Sequence, residues 1–198
     1  MIKNIIFDLG GVVLKNNPSI VMNSLNIDNK DYDTIYNTFF NNLVLLDNGN
    51  MTLVDYFNKC NIPNNLKIKY KDVLCNYFKY REFNHNVVNL MKKLKDNNYK
   101  IYILSNNNKE TYDYLFNLEK LNFIDGWIIS SEYGIMKPDI KLYNILLDKY
   151  NLIASECCFI DDKEENINTS FSIGMKGFVF KNFDLLIKDL KCNKIRIV

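Results

Sequence analysis

Short apolar stretches of strand length alternate along this chain with longer stretches of helical periodicity, and this alternation restricts the fold more than any other feature. The predicted strands cover residues 3–8, 99–105, 126–130, 156–161 and 177–180. The clearest helical pattern places Val87, Leu90, Met91 and Leu94 on one face, and Asn97 and Asn98 follow as left-handed caps. Continuous apolar strands are typical of parallel sheets that helices cover on both faces. The sequence therefore predicts an α/β fold, with further helices near 109–119, 139–150, 163–173 and 183–191.

One long segment departs from this alternation. Residues 15–84 carry helical patterns at 18–25, 32–46, 52–60 and 66–80 without a convincing strand, and a turn at 47–50 separates two of them. Its aromatic residues lie at helical spacing and are expected to pack inside this segment, among them Tyr36, Phe39, Phe40 and Tyr56. We predict a core made of residues 1–14 and 85–198, and a helical insertion at 15–84.

Composition excludes several classes of function. With 47% apolar residues in 198, the chain can bury a substantial core. Its 25 basic and 23 acidic side chains leave a net charge of +2 without a basic stripe, which argues against a nucleic-acid partner. One histidine and five scattered cysteines do not form a zinc motif, so a bound metal would have oxygen ligands. No export signal or membrane span is visible, and we expect a cytoplasmic protein without a membrane partner.

Polar residues follow four of the predicted strands, at the edge where ligands bind in open α/β sheets. They form the strings Asp8-Leu9-Gly10-Gly11, Ser105-Asn106, Lys137-Pro138-Asp139 and Asp161-Asp162 with Asn166 nearby. Each string also has a simpler explanation. Asp8, Ser105 and Asp162 are common cap or turn residues, a lysine is usually a solvated surface charge, and Pro138 suits the first turn of a helix. Adjacent carboxylates at a strand end, however, commonly bind a cation.

In their order and spacing, these strings resemble the haloacid dehalogenase-like hydrolases, in the phosphatase-type branch that carries a helical cap. The resemblance covers nearly the whole chain and implies a Rossmann-like core with residues 15–84 as the cap. The strings FDLGGVV, IDDKEEN and SIGMKG are similar to a bacterial sugar-phosphatase subgroup that carries DLG in the first motif.

The resemblance assigns a role to each of these residues. Asp8 is the nucleophile, and Mg²⁺ is held by Asp8, the Gly10 carbonyl and Asp162. Ser105, Asn106 and Lys137 bind the phosphoryl oxygens, and Asp161 and Asn166 order the groups around them. The implied substrate is a small phosphorylated metabolite, in particular a sugar phosphate, while the oligomeric state stays open. Glu164 and Glu165 are expected in the first turn of the following helix.

Gly10 departs from the family pattern, because most catalytic members carry an acid/base aspartate at this position. General acid–base catalysis contributes about 10²–10⁴-fold, so a slower phosphatase remains the first interpretation. A phosphate-binding protein without catalysis and a metal-free 2-haloacid dehalogenase are the alternatives. His85, near the junction of the cap and the core, is a candidate for the missing acid, although a lone histidine here is more often a surface or helix-start residue.

Overall fold

A computed structural model describes residues 1–15 and 18–197. Its five strands form one fully parallel sheet in the order β3-β2-β1-β4-β5. The strands are β1 (Asn4–Phe7), β2 (Lys100–Ser105), β3 (Gly126–Ile129), β4 (Cys157–Asp161) and β5 (Lys176–Val179). Every predicted strand is confirmed, and no strand boundary differs from the prediction by more than one residue. The central strand β1 lies between β2 and β4, so the ends of these three strands are neighbours.

Helices precede or follow the strands as the periodicity predicts. They are α1 (Pro18–Ser24), α2 (Tyr32–Thr38), α3 (Leu53–Lys59), α4 (Asn64–Leu74), α5 (His85–Asp96), α6 (Lys109–Phe116), α7 (Ser130–Tyr133), α8 (Ile140–Lys149), α9 (Glu164–Ser172) and α10 (Phe183–Cys192). The short α7 is not predicted from the sequence. Of the two residues expected as left-handed caps after α5, Asn98 has a φ of 66°, whereas Asn97 caps the helix at −86°.

Alternate residues of the strands face two separate hydrophobic clusters. In β1, Ile5 and Phe7 pack on one side of the sheet with α5 and α10, while Ile6 packs on the other side with α8 and α9. All three side chains are fully buried. Because complete burial of such a side chain stabilises a fold by about 1.5–3 kcal/mol, both faces hold β1 at the centre of the molecule.

The segment between β1 and α5 has a hydrophobic cluster of its own, whose buried members lie between Val21 and Tyr77. The helix expected at 32–46 is wrong as a single element: α2 ends at Thr38, and a 3₁₀ helix continues over Phe40–Leu46. Phe39 marks the break, because its completely buried ring packs against Phe40, Tyr56 and Tyr77 and fixes the local path of the chain. The helix expected at 66–80 divides similarly into α4 and a 3₁₀ helix over Tyr77–Tyr80.

Two short connections join this segment to the sheet. The amide of Lys15 donates to the Glu82 carbonyl at 2.8 Å, and the amide of Asn84 donates to the Val13 carbonyl at 2.8 Å. The outgoing and returning chains thus lie side by side near the predicted boundaries at 14/15 and 84/85. No helix among residues 1–15 and 18–197 is long and apolar enough to cross a bilayer.

Candidate active site

The three central strands deliver polar side chains to one edge of the sheet. Asp8 follows β1 directly, Ser105 ends β2 and Asp161 ends β4. The Asp8 amide donates to the Ile160 carbonyl at 2.9 Å, which continues the pairing of β1 with β4 up to the site. This edge lies where the strand order reverses, the position at which open α/β sheets bind their ligands.

Lys137 reaches this edge from the loop before α8 and is 5% exposed. Its Nζ lies 3.0 Å from Asp8 Oδ1 and 2.5 Å from Asp161 Oδ2. The Asn106 side chain fixes the Lys137 backbone on both sides: its Oδ1 accepts from the Lys137 amide at 2.8 Å and its Nδ2 donates to the Lys137 carbonyl at 2.9 Å. Lys137 is therefore a buried, positioned cation and not a solvated surface charge.

Pro138 does not lie in the first turn of the next helix as the sequence predicted. The Lys137–Pro138 peptide bond is cis, and α8 begins only at Ile140. Asp139 is the N-cap, and its side chain accepts from the Lys141 amide at 2.9 Å. A side-chain cap thus starts this helix one residue later than expected, after a turn that includes the proline.

Asp161 and Asp162 occupy different environments although they are adjacent. The Asp161 carboxylate is completely buried and accepts from Lys137, from Asn166 Nδ2 at 2.9 and 3.0 Å, and from the Lys163 amide at 2.8 Å. Its hydrogen-bonding capacity is largely used in holding Lys137. Asp162 does not cap α9, whose N-cap is Lys163 without a side-chain hydrogen bond, while Glu164 and Glu165 occupy the first turn as predicted.

Gly11 packs directly against Asp162. A Cβ built on Gly11 would lie 2.2 Å from Asp162 Oδ2, and the φ of Gly11 is +80°. Only glycine fits both requirements without a shift of the neighbouring carboxylate. Within residues 1–15 and 18–197, the Asp162 side chain makes no hydrogen bond or ion pair at the distances typical of these contacts, so its oxygens are available to a ligand.

The site contains more negative than positive charge. Carboxylate oxygens of Asp8, Asp161 and Asp162 lie within 4.8 Å of one another, and Lys137 is the cation in direct contact with them. Burial raises the pKa of Asp162 to about 6, and the charges of Asp8 and Asp161 act in the same direction. An oxygen-rich cluster of this kind has the donor set that Mg²⁺ prefers, and two of its members, Asp8 and Asp162, line the cavity of the site.

The pKa values of Asp8 and Lys137 are both raised in the folded protein. Burial raises the pKa of Asp8, and Asp161 adds to this effect, whereas Lys137 and a hydrogen bond from Ser105 oppose it. Burial alone would lower the pKa of Lys137, but the carboxylates of Asp8 and Asp161 raise it above its ordinary value. Lys137 consequently stays charged at neutral pH and stabilises the anionic groups around it.

Ser105 and Asn106 do not cap the following helix. The N-cap of α6 is Asn108, whose side chain accepts from the Thr111 amide at 2.9 Å. Ser105 is completely buried and its side chain is hydrogen-bonded to Asp8, while Asn106 lines the cavity. The structure thus brings together the predicted nucleophile, lysine and metal ligands, and it separates Ser105 from the open part of the site.

Above the carboxylates lies a cavity of about 350 Å³ with a polar floor and a largely apolar opposite wall. The apolar wall comes from the helical segment and consists of Val21, Tyr36, Phe40, Leu43, Val44 and Tyr77. The prediction that the aromatic residues pack inside the segment holds for Phe39 and Tyr56, which are buried. Tyr36 and Phe40 also pack against the cluster of this segment, but they are only half-buried and line the cavity as well.

Four charged cavity residues were missed by the sequence reasoning: Lys15, Asp47, Arg81 and Lys163. Asp47 begins a turn that the sequence identified only as a separator of helices, and Arg81 is one of two arginines in the chain. This scarcity of arginine is the one feature of the sequence that could have drawn attention to Arg81. His85, the candidate considered for the missing acid, is exposed at the first position of α5 and does not line this cavity.

Known proteins agree with this architecture. The solved structure of a HAD family enzyme variant of Bacteroides thetaiotaomicron, in complex with magnesium and inorganic phosphate, superposes with a TM-score of 0.72 at 17% identity, covering 94% of this chain and 99% of that one. A sesquiterpene phosphatase of Aspergillus oryzae is 28% identical over 92 residues, which are 46% of this chain and 47% of that protein. Flavin mononucleotide hydrolase 1 of Arabidopsis thaliana is 39% identical over 57 residues, 29% of this chain and 23% of that protein.

These curated relatives are thus matched over less than half of their own length. The family assignment depends on a longer match, which includes every strand except β5 and all of the residues around Lys137 and Asp8. Residues 2–169 match the haloacid dehalogenase-like hydrolases, and the chain belongs to this family.

Proposed function

We propose that this protein is a Mg²⁺-dependent phosphomonoester hydrolase that acts through an aspartyl-phosphate at Asp8. The observation that carries the proposal is the buried Asp8 carboxylate, which Lys137 contacts at 3.0 Å and beside which Asp162 has free oxygens. A phosphate group placed here would meet a nucleophile, a fixed cation and a metal-binding carboxylate at once. The magnesium and phosphate in the Bacteroides enzyme support the same interpretation.

In the proposed reaction, a carboxylate oxygen of Asp8 attacks phosphorus and the bond from phosphorus to the leaving oxygen breaks. Water then attacks the aspartyl-phosphate, which releases inorganic phosphate and restores the carboxylate. Lys137 and Asn106 would bind phosphoryl oxygens, and Asp161 with Asn166 would keep the Lys137 ammonium in place. Ser105 would contribute through its hydrogen bond to Asp8.

Mg²⁺ would be held by Asp8, the Gly10 carbonyl and Asp162. It would supply the positive charge that lets an anionic carboxylate approach an anionic phosphate. Without it, Lys137 is, among the described residues, the only cation in contact with this group of three carboxylates, and it pairs with two of them, Asp8 and Asp161. The same excess of negative charge argues against a metal-free dehalogenase, because the charge of Asp162 would oppose attack by Asp8 and have no role.

The proposed substrate is a small phosphorylated metabolite whose leaving group rests against the apolar wall of the cavity. A sugar phosphate agrees with the resemblance, and Tyr36 and Phe40 offer aromatic faces on which a sugar ring can pack. In this proposal residues 15–84 are a cap domain over a core of residues 1–14 and 85–198. Its separate hydrophobic cluster supports this division.

A panel of phosphomonoesters assayed for phosphate release, with Mg²⁺ and with a chelator, tests the function. We expect Mg²⁺-dependent release that the Asp8→Asn variant loses, whereas Asp184→Asn, an exposed change of the same chemistry on α10, behaves like wild type. Acid-quenched wild type should gain the mass of one phosphoryl group. Phosphate binding without release by wild type would favour the non-catalytic alternative, and turnover by Asp8→Asn would exclude the assigned nucleophile.

A further inference from the structure

The phosphatase proposed above lacks an acid/base side chain at Gly10, so a proton for the leaving group has to come from another residue. A Cβ built on Gly10 would meet only Arg81 Nη2, at 3.7 Å, within 4 Å. The φ of Gly10 is not in the left-handed region, since the positive-φ glycines are Gly11, Gly49, Gly134 and Gly174. Neither backbone strain nor crowding therefore requires a glycine here, and the space that an acid would fill lies beside a guanidinium.

A second carboxylate faces the same cavity from the helical segment. Asp47 lines the cavity together with Asp8, Gly10 and Arg81. Within residues 1–15 and 18–197, its carboxylate has no hydrogen bond or ion pair that would commit it to a structural role. Among the described residues of the helical segment, Asp47 is the one acidic residue that lines this cavity.

The turn that carries Asp47 is docked firmly on the core. Ser130 Oγ donates to the Asp47 carbonyl at 2.5 Å and accepts from the Asn107 amide at 3.0 Å. A Cβ on Gly49 would lie 2.1 Å from the Ser131 carbonyl oxygen, so only a glycine permits this close approach. The backbone of the turn is thus fixed to the beginning of α7, and Asp47 is held toward the carboxyl edge of the sheet.

We infer that Asp47 supplies the acid/base function that is missing at Gly10. In the first step its carboxyl proton passes to the leaving oxygen as the phosphorus–oxygen bond breaks, which releases a neutral alcohol. In the second step the Asp47 carboxylate takes a proton from the attacking water, as the bond between Asp8 and phosphorus breaks. Asp47 is then protonated again, and the products are the alcohol and inorganic phosphate.

The charged surroundings of Asp47 suit both steps. Burial raises the pKa of Asp47 to about 7, where an acid/base group is most effective. Arg81 opposes this shift, Asp8 adds to it, and Lys163 and Lys137 also oppose it. A cation bound at Asp8 would offset the contribution of Asp8, so the pKa in the loaded enzyme should lie below that of the metal-free protein.

The test compares two substrates with different leaving groups in the Mg²⁺-loaded enzyme. A sugar or alkyl phosphate needs a proton on its leaving oxygen, whereas p-nitrophenyl phosphate does not, and kcat/KM reports the transfer to Asp8 in both cases. For Asp47→Asn we expect a loss of about 10²–10⁴-fold with the alkyl substrate and less than about tenfold with the aryl substrate. The falling limb of the pH profile for the alkyl substrate should also disappear.

Two further variants make the result specific. Asp33→Asn removes an exposed carboxylate of α2 and should leave both substrates unaffected. Gly10→Asp in the Asp47→Asn background restores an acid beside the site and should recover much of the loss with the alkyl substrate. Thermal unfolding of each variant checks that it is folded.

The possible failures are distinguishable. If Asp47→Asn lowers kcat/KM equally for both substrates or not at all, while Asp8→Asn is inactive, the role of Asp47 is overturned and the phosphatase stands. If wild type releases no phosphate from any substrate, the proposed function and the role of Asp47 are both refuted.

Discussion

Replacing Lys137 by Met should destabilise the metal-free protein in a manner that depends on pH. The substitution keeps an apolar stem in the space beside Phe159, whose ring centroid lies 5.2 Å from Nζ, but it removes the charge between Asp8 and Asp161. The side chains of Lys137, Asp8 and Asp161 are 1%, 10% and 0% exposed. Solvent therefore cannot compensate for the loss of the cation. Breaking a buried pair in this way typically costs about 3–5 kcal/mol.

Protonation sets an upper limit on this cost. One of the two carboxyls can bind a proton instead of remaining charged, and each pKa unit corresponds to about 1.4 kcal/mol. From an ordinary value near pH 3.9, neutralising one carboxyl costs about 4 kcal/mol at pH 7 and about 1.5 kcal/mol at pH 5. Because the folded variant binds the extra proton, its stability falls as pH rises through the unfolded pKa. The difference from wild type should accordingly grow by about 2–3 kcal/mol between pH 5 and pH 7.

Urea unfolding in a chelator, at pH 5 and at pH 7, measures this difference. The control is Lys109→Met, which removes an exposed partner of Asp113 with side-chain exposures of 69% and 52%. Exposed pairs contribute at most about 1 kcal/mol, so the control should show a small and nearly pH-independent effect. If Lys137→Met lowers the free energy of unfolding by less than about 1 kcal/mol at both pH values, Lys137 is not the buried partner that Asp8 and Asp161 need. Added Mg²⁺ should stabilise the variant by binding Asp8, one of the two carboxylates that lose their cation.

Two further predictions concern Asp162 and the residue packed on it. Because the pKa of Asp162 is raised to about 6, Mg²⁺ must displace a proton from this carboxyl below that pH. The Mg²⁺ affinity measured by calorimetry should therefore fall about tenfold per pH unit below pH 6. A pH-independent affinity would exclude Asp162 as a ligand. Gly11→Ala should weaken Mg²⁺ binding and lower stability more than Gly174→Ala, because both have positive φ but only the first meets the Asp162 carboxylate; equal effects on Mg²⁺ affinity would contradict this packing.

The parallel sheet was predictable because each strand combines a short apolar run with a polar residue at its end. Buried strands between two layers need apolar residues on both faces, as Ile5, Ile6 and Phe7 illustrate. Such strands therefore appear in the sequence as runs of consecutive apolar residues. The divided helices around Phe39 were not predictable in the same way. Their breaks depend on which aromatic rings meet in the assembled segment, and helical periodicity does not distinguish an α-helix from a 3₁₀ continuation.

The floor of the site was predictable for a related reason. Parallel strands end at the same edge, so residues at or just after the ends of β1 and β4 must lie close together, and carboxylate oxygens of Asp8, Asp161 and Asp162 do so within 4.8 Å. The separate roles of Asp161 and Asp162 came from the family resemblance, because adjacent aspartates at a strand end look alike by residue type. The structure adds their environments: among the described residues, Lys137 and Asn166 contact the Asp161 carboxylate and not that of Asp162.

Asp47 illustrates what sequence reasoning could not provide. An Asp-Asn-Gly turn between helices is most simply explained by local turn chemistry, and nothing in its neighbours points to the sheet. Its position depends instead on a long-range contact, the hydrogen bond from Ser130 Oγ, and on the absence of a side chain at Gly49. Gly10, where the family pattern has an acid, and Asp47 are 37 positions apart in the chain, but both line one cavity. A catalytic group removed from the core can thus be supplied by the segment that covers it, provided that the cover is docked as tightly as this turn.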